Sequence, residues 1–306
     1  MPLSEFALIQ RYFSALGAGD HIDLSVGDDC AVLRLAGGER LATSVDTLVS
    51  GVHFPADSFP EDIGYRAVAT AASDLAAMGA RPLGMTCALT LPDAEELWLH
   101  AFSQGLAQAA AELELPLVGG DTTRGPLTVT VQVLGSLPAG AALVRGGAQV
   151  GDRLYVSGTL GDAAAGLAIL NGEWCPEPEY GEYLVRRFHR PSARIRLGQR
   201  LLGSATAAID VSDGLLADVA HLASASGVRV CVDHLALPVS EALQLACSDA
   251  QQRLRWALTG GDDYELCFTF PSDQAPAQGT LIGRVEAGEG IYCDADLQGA
   301  EGYQHF

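Results

Sequence analysis

Six short segments set carboxylates beside residues that bend the chain: Gly27-Asp28-Asp29, Ser44-Val45-Asp46-Thr47, Ser73-Asp74, Gly119-Gly120-Asp121-Thr122-Thr123, Asp210-Val211-Ser212-Asp213-Gly214 and Gly260-Gly261-Asp262-Asp263. Any one of them alone is an ordinary turn or helix-cap aspartate. Six together, most at the end of an apolar run, point to acidic groups on tight turns around a shared cleft. Hard oxygen donors of this kind suit Mg²⁺ or Ca²⁺. Mg²⁺ in turn points to phosphate chemistry, where the metal offsets the charge of the transferring group. Asp210 and Asp213, three apart at a strand-to-helix turn, are able to face one ion together.

No lysine answers these carboxylates, since all 18 basic side chains are arginine. That excludes a P-loop lysine, a Schiff base and a catalytic ammonium. Phosphate must then be neutralised by metal ions and by the planar fork of arginine. Arg145, in a Gly-rich connector, and Arg124, after the Gly-Gly-Asp-Thr-Thr segment, are the phosphate-contact candidates; the alternative for each is an ordinary surface arginine.

The elements that must position these groups alternate between helix and strand. Apolar spacing predicts a helix over 4–16, strands over 30–35 and 40–46 joined by the Gly37-Gly38 turn, and an alanine-rich helix over 61–78 that contains Asp74. A strand is expected over 83–91, a helix from Asp93 to 113 and a half-buried strand around Leu127–Val133. Asp46 is expected to end its strand, and Asp121 to follow the apolar run Leu115–Val118. The Gly- and Ala-rich stretch from Gly135 to Gly151 marks the division into domains 1–137 and 138–306. Beyond it, strands are expected at 154–156, 206–210, 228–232, 265–270 and 280–285, and helices at 162–170, 192–202, 214–225 and 240–249. The fold class is α/β (α+β) with two domains.

Composition bounds the function. The chain of 306 residues carries 38 acidic side chains and a net charge of -20. Such a charge repels nucleic acid and anionic membranes, so neither is an expected partner. No apolar run approaches the ~20 residues of a membrane span, and the first 16 residues, with Glu5 and Arg11 in an amphipathic pattern, do not form a secretory signal. The seven cysteines include no Cys-x-x-Cys pair, which predicts reduced thiols in a cytoplasmic protein and no zinc site.

Motif order then carries a resemblance over nearly the whole chain. Gly-Asp-Asp-Cys-Ala at 27–31, Asp-Thr-Leu-Val-Ser-Gly-Val-His-Phe at 46–54 and Ser-Asp-Leu-Ala-Ala-Met-Gly-Ala at 73–80 are followed by Gly-Gly-Asp-Thr-Thr-Arg-Gly-Pro at 119–126. Asp-Val-Ser-Asp-Gly-Leu at 210–215 and Gly-Gly-Asp-Asp-Tyr-Glu-Leu at 260–266 complete the set. In this order they resemble the thiamine-monophosphate kinase family of the aminoimidazole-ribonucleotide-synthetase-related superfamily. The resemblance implies a two-domain fold of mixed sheets with flanking helices, and a homodimer whose N-terminal strands form a barrel. It implies Mg-dependent transfer of the γ-phosphoryl group of ATP to thiamine monophosphate.

By position, Asp28, Asp29, Ser44, Asp46, Asp74, Asp121, Asp210 and Asp213 correspond to ligands of several Mg²⁺ ions. Ser44, Gly120, Asp121, Arg145 and Ser212 correspond to ATP contacts. His53, Asp262 and Tyr303 correspond to substrate contacts, and Asp121, Asp210 and Arg145 to groups at the reaction itself. Chemistry alone leaves Asp262 and Asp263 equally suited to face the cationic thiazolium; the family pattern selects Asp262. Two departures stand out. Some members have tyrosine where Ser103 stands, available to stack on adenine, and the family often has glutamate at the place of Asp262.

Overall fold

The computed structural model describes residues 5–24 and 32–295. The chain divides into two compact units, Met1–Leu75 with Ala80–Gly140, and Ala76–Gly79 with Ala141–Phe306.

The first unit contains α1 (Glu5–Tyr12), β1 (Ile22–Leu24), β2 (Val32–Leu33), β3 (Glu39–Val49), α2 (Pro60–Met78, whose last turn belongs to the second unit), β4 (Arg81–Leu91), α3 (Glu96–Glu112), β5 (Leu117–Arg124) and β6 (Thr128–Pro138). Its main sheet has the order β3-β6-β4-β5. α3 is the crossover that makes β4 and β5 parallel; β3 and β6, and β6 and β4, are antiparallel. Alternation fixes which face is covered, as strands require. Val129, Val131 and Val133 of β6 lie in the same rows as Leu89, Cys87 and Met85 of β4, and all six are buried. Leu75 of α2 reaches this sheet at Gly135, where an added Cβ would lie 2.9 Å from its Cδ2. α2 begins with Pro60, then Glu61 and Asp62 in its first turn, which suits a helix start. α2 and α3 touch backbone to backbone: a Cβ on Gly105 would fall 1.8 Å from the Glu61 carbonyl oxygen, and one on Gly64 2.4 Å from that of Phe102.

Several local expectations change. The Gly37-Gly38 turn does not close a hairpin, because β2 pairs with β1 and β3 pairs along its whole length with β6, from Glu39↔Pro138 to Val49↔Thr128. A two-residue strand offers β3 few partners, whereas β6 offers one for every residue. Asp46 therefore lies inside a strand rather than at its end. Gly119 to Thr123, expected as a turn, lies in strand β5, zipped to β4 from Thr86↔Gly119 to Leu91↔Arg124. α3 starts at Glu96 rather than at Asp93.

The second unit contains β7 (Arg153–Val156), α4 (Asp162–Leu170), α5 (Pro178–His189), α6 (Ile195–Leu201), β8 (Ala207–Asp210), α7 (Leu215–Ser226), β9 (Arg229–Val232), α8 (Glu241–Ala246), α9 (Ala250–Thr259), β10 (Leu266–Phe270), β11 (Thr280–Glu286) and β12 (Gly290–Cys293). Its sheet has the order β12-β9-β11-β7-β10-β8. β10 is antiparallel to β7 and β8, β11 is antiparallel to β7 and β9, and β12 is parallel to β9. The carboxyl ends of β7, β8, β9 and β12 therefore share one edge of the sheet, the usual place for a site in such folds. Ile209, Val219, Leu222, Val230 and Ile282 form the core beneath it. No helix among the described residues is long and apolar enough to cross a membrane.

Candidate active site

In the first unit, β3 and α2 bring three of the expected residues together. The Ser44 hydroxyl donates to the Asp74 carboxylate, and the Asp46 carboxyl is pushed up to about 6, first by burial and then by the charge of Asp74. Two half-buried carboxylates that repel each other beside a hydroxyl oxygen are a set of hard donors suited to a divalent cation. Asp121 is exposed and pairs with Ala88 on β4, one row from the Cys87–Val131–Asp46 row. Gly120 lies so close to β4 that an added Cβ would stand 2.0 Å from the Cys87 carbonyl oxygen. His53 follows β3 in a tight turn, where its Nδ1 accepts the Val49 amide at 3.0 Å. That bond leaves Nε2 as the protonated nitrogen of the neutral ring.

Ser103 is buried in α3 and donates its hydroxyl to the His100 carbonyl at 2.9 Å, so it does not replace an aromatic ring. Arg124 is a surface residue paired with the Pro92 carbonyl and Asp93. Asp28, Asp29 and Tyr303 lie outside the described residues.

In the second unit, Asp210 ends β8, and Ser212 and Asp213 occupy the turn into α7. A residue not singled out in the sequence organises this turn. Asp218, on the first turn of α7, accepts the Ser212 amide at 3.0 Å and the Asp213 amide at 3.1 Å. Its carboxyl is pushed up to about 7, mainly by burial, with the charges of Asp210 and Asp213 adding to it. The signal in the sequence was an acid reaching back from the first helical turn, the logic of a capping box.

The turn bearing Asp262 is laced to this one: the Asp262 amide donates to the Ser212 carbonyl at 2.9 Å and the Tyr264 amide to that of Val211 at 2.8 Å. Asp262 and Tyr264 both have left-handed backbones, with φ of 70° and 50°. Non-glycine residues hold this conformation only where their surroundings fix it. Between them, Asp263 is 1% exposed and accepts the Gly161 amide at 2.7 Å, at the start of α4. Burial holds its carboxyl well above the usual range, with Asp162 and Glu265 acting in the same direction and Arg187 against it.

Glu265 and Asp162 anchor a buried ionic network of which the sequence pattern gives no sign. Glu265 receives Arg194 at 2.5 and 2.6 Å, Arg187 at 3.0 Å and the Ser157 hydroxyl at 2.5 Å. Asp162 receives the Ser240 and Thr159 hydroxyls at 2.5 and 2.6 Å. Arg145 is exposed, and its loop is tied to α7 by Ser226, which accepts the Gly147 and Ala148 amides and donates to the Arg145 carbonyl.

Two mixed α/β units, each with aspartates on a strand or at a strand end, define the class. The model of AIR synthase related proteins matches here with its N-terminal domain over residues 27–137 and its C-terminal domain over 149–294. Thiamine-monophosphate kinase of Salmonella typhimurium is 46% identical over 325 residues, covering 100% of this chain and 99% of that one. A solved thiamine-monophosphate kinase from Stenotrophomonas maltophilia has a TM-score of 0.88 at 44% identity, with 99% of each chain covered. A structure described as AaThiL complexed with AMPPCP and TMP has a TM-score of 0.83 at 34% identity, with 89% of each covered. The chain belongs to the thiamine-monophosphate kinase family of AIR synthase related proteins.

Proposed function

We propose that this chain transfers the γ-phosphoryl group of ATP to thiamine monophosphate by direct in-line displacement, giving thiamine diphosphate and ADP. The observation that carries the reading is the pair of oxygen-donor groups, Ser44–Asp46–Asp74 and Asp210–Asp213, in a chain matched end to end by thiamine-monophosphate kinases. The acceptor is a phosphate monoester with a second pKa of about 6, so at neutral pH it is already a dianionic nucleophile. It needs no general base. The obstacle is the approach of two polyanions, which Mg²⁺ at these carboxylates would relieve by neutralising charge on the transferring group.

The chain's own part is to hold the reactants. Ser44, Asp46, Asp74 and Asp121 would hold magnesium in the first unit, and Asp210 and Asp213 would do so in the second. Gly120, Arg145 and Ser212 would contact ATP. His53, as a donor through Nε2, suits the monophosphate. Asp262 suits the cationic thiazolium better than Asp263, whose carboxylate is committed to α4. The reading includes a cytoplasmic homodimer formed through β3, on which Leu41 and Val45 are more than half exposed.

An assay with Mg·ATP and thiamine monophosphate tests it. Thiamine diphosphate and ADP should form in equal amounts, and Asp210→Asn should lose both. Tight ATP binding without product would replace this reading with a non-catalytic Mg·ATP-binding module. A phosphorylated protein trapped in a single turnover would overturn the direct transfer.

A further inference from the structure

Among the described residues, one group of three metal-ligating side chains brings its donor atoms within 4.8 Å of one another, and none of its members belongs to the kinase site. It consists of His234, Cys293 and Asp294. The parallel pairing of β12 with β9 sets Cys293 opposite Val232, so the chain leaving β9 meets the end of β12. His234 then opens a short 3-10 turn, His234–Ala236. That turn is fixed by Asp233, whose carboxylate accepts the Leu235 amide at 3.0 Å. The His234 ring meets the Asp294 carboxylate at 2.7 Å, and the thiol of Cys293 completes the group.

We propose that His234, Cys293 and Asp294 form a zinc-class divalent cation site, which the cysteine spacing gave no reason to expect because the fold, not the sequence order, brings these residues together. One nitrogen, one sulfur and one oxygen are the borderline donors that zinc takes, and three protein ligands leave a fourth, open position. Bonds of about 2.0–2.3 Å in a tetrahedron place donor atoms roughly 3.3–3.7 Å apart, which the 4.8 Å grouping reaches with small side-chain shifts. Magnesium, which avoids sulfur, is a poor fit. Asp294 is 64% exposed on its side chain and His234 20%, so an ion has a path in from solvent. The ordinary alternative is a surface His–Asp pair with a thiol nearby by chance. Binding replaces the thiol proton, released to solvent, with a sulfur–metal bond; no electron is transferred.

The test uses the full chain in excess Mg²⁺, which occupies the all-oxygen sites. Co²⁺ is titrated as a coloured stand-in, and Zn²⁺ is titrated in parallel during alkylation with iodoacetamide read by peptide mapping. The expected results are a thiolate-to-cobalt absorption saturating at one ion per chain and at least tenfold slower alkylation of Cys293. Exposed Cys175 serves as the unprotected internal reference. Cys293→Ser should abolish the absorption. His234→Gln, which keeps the thiol, should weaken zinc protection at least tenfold and leave kinase turnover unchanged. Unaltered alkylation of Cys293 under zinc, or protection equal in His234→Gln, would overturn the site and leave a His–Asp ion pair.

Discussion

Asp218 binds two backbone amides and no expected ligand, so its contribution is separable from that of Asp210 and Asp213. Asp218→Ala frees the Ser212 and Asp213 amides and should lower kinase turnover on the order of 10–100-fold, the usual effect of losing a group that orients a ligand. Asp218→Asn keeps one acceptor oxygen and should fall between; steady-state kinetics at varied Mg²⁺ distinguish them, because the loss should appear as a raised Mg²⁺ requirement. Asp263 makes a prediction of opposite sign. Its folded-state carboxyl is held above the ordinary value, so the folded chain keeps a proton that the unfolded chain releases above about pH 4. Stability from this group is lost as pH rises from there toward its folded-state pKa. Asp263→Asn should therefore gain stability relative to the parent over that window, read by urea denaturation at pH 4.5 and pH 7. A constant difference between the two pH values would contradict this. The sequence alone left Asp262 and Asp263 equal, because neighbours in a chain share composition but not burial. Only the fold distinguishes a 1% exposed helix-capping carboxylate from a partly exposed one held at positive φ.

Elements with strong periodicity were legible: α2, β4, α4 and β10 lie where apolar spacing puts them. The failures have common causes. Strand β5 was hidden because Gly119-Gly120 reads as a turn, whereas here glycine admits the neighbouring strand, with the Cys87 carbonyl oxygen in the space of a Cβ. Gly120→Ala should unzip β4 from β5, seen as faster amide exchange along Cys87–Leu91 and lost soluble yield. The helix α5 was missed because Pro176 and Pro178 suggest a loop, although Pro178 in fact sits at the first helical turn. Helix α9 is polar along Gln251–Arg253 and gave little apolar period. The network on Glu265 was invisible because Arg187 and Arg194 are distant in sequence and read as surface residues. Two buried carboxylates, Asp162 and Glu265, are paired with these two guanidiniums. Arg187→Ala should cost about 3–5 kcal/mol by chemical denaturation, the usual result of leaving a buried partner uncompensated.

A chain with a net charge of -20 repels itself, and bound cations relieve that repulsion. Added NaCl should raise the melting midpoint by screening. MgCl₂ at the same ionic strength should raise it further if the carboxylate groups bind Mg²⁺ specifically, and equal midpoints would sink that view. The lacing of the 211–214 turn to the 261–264 turn has a consequence of another kind. The amides of Asp262 and Tyr264 donate to the carbonyls of Ser212 and Val211, so a cation held at Asp210 and Asp213 as proposed should also steady Asp262. Binding linkage is reciprocal: whatever factor a cation lends to affinity at Asp262, a cationic ligand at Asp262 must return to the cation. On the roles proposed for these residues, the cation and the cationic substrate should each tighten the other's binding, so that selectivity for either would depend on both being present.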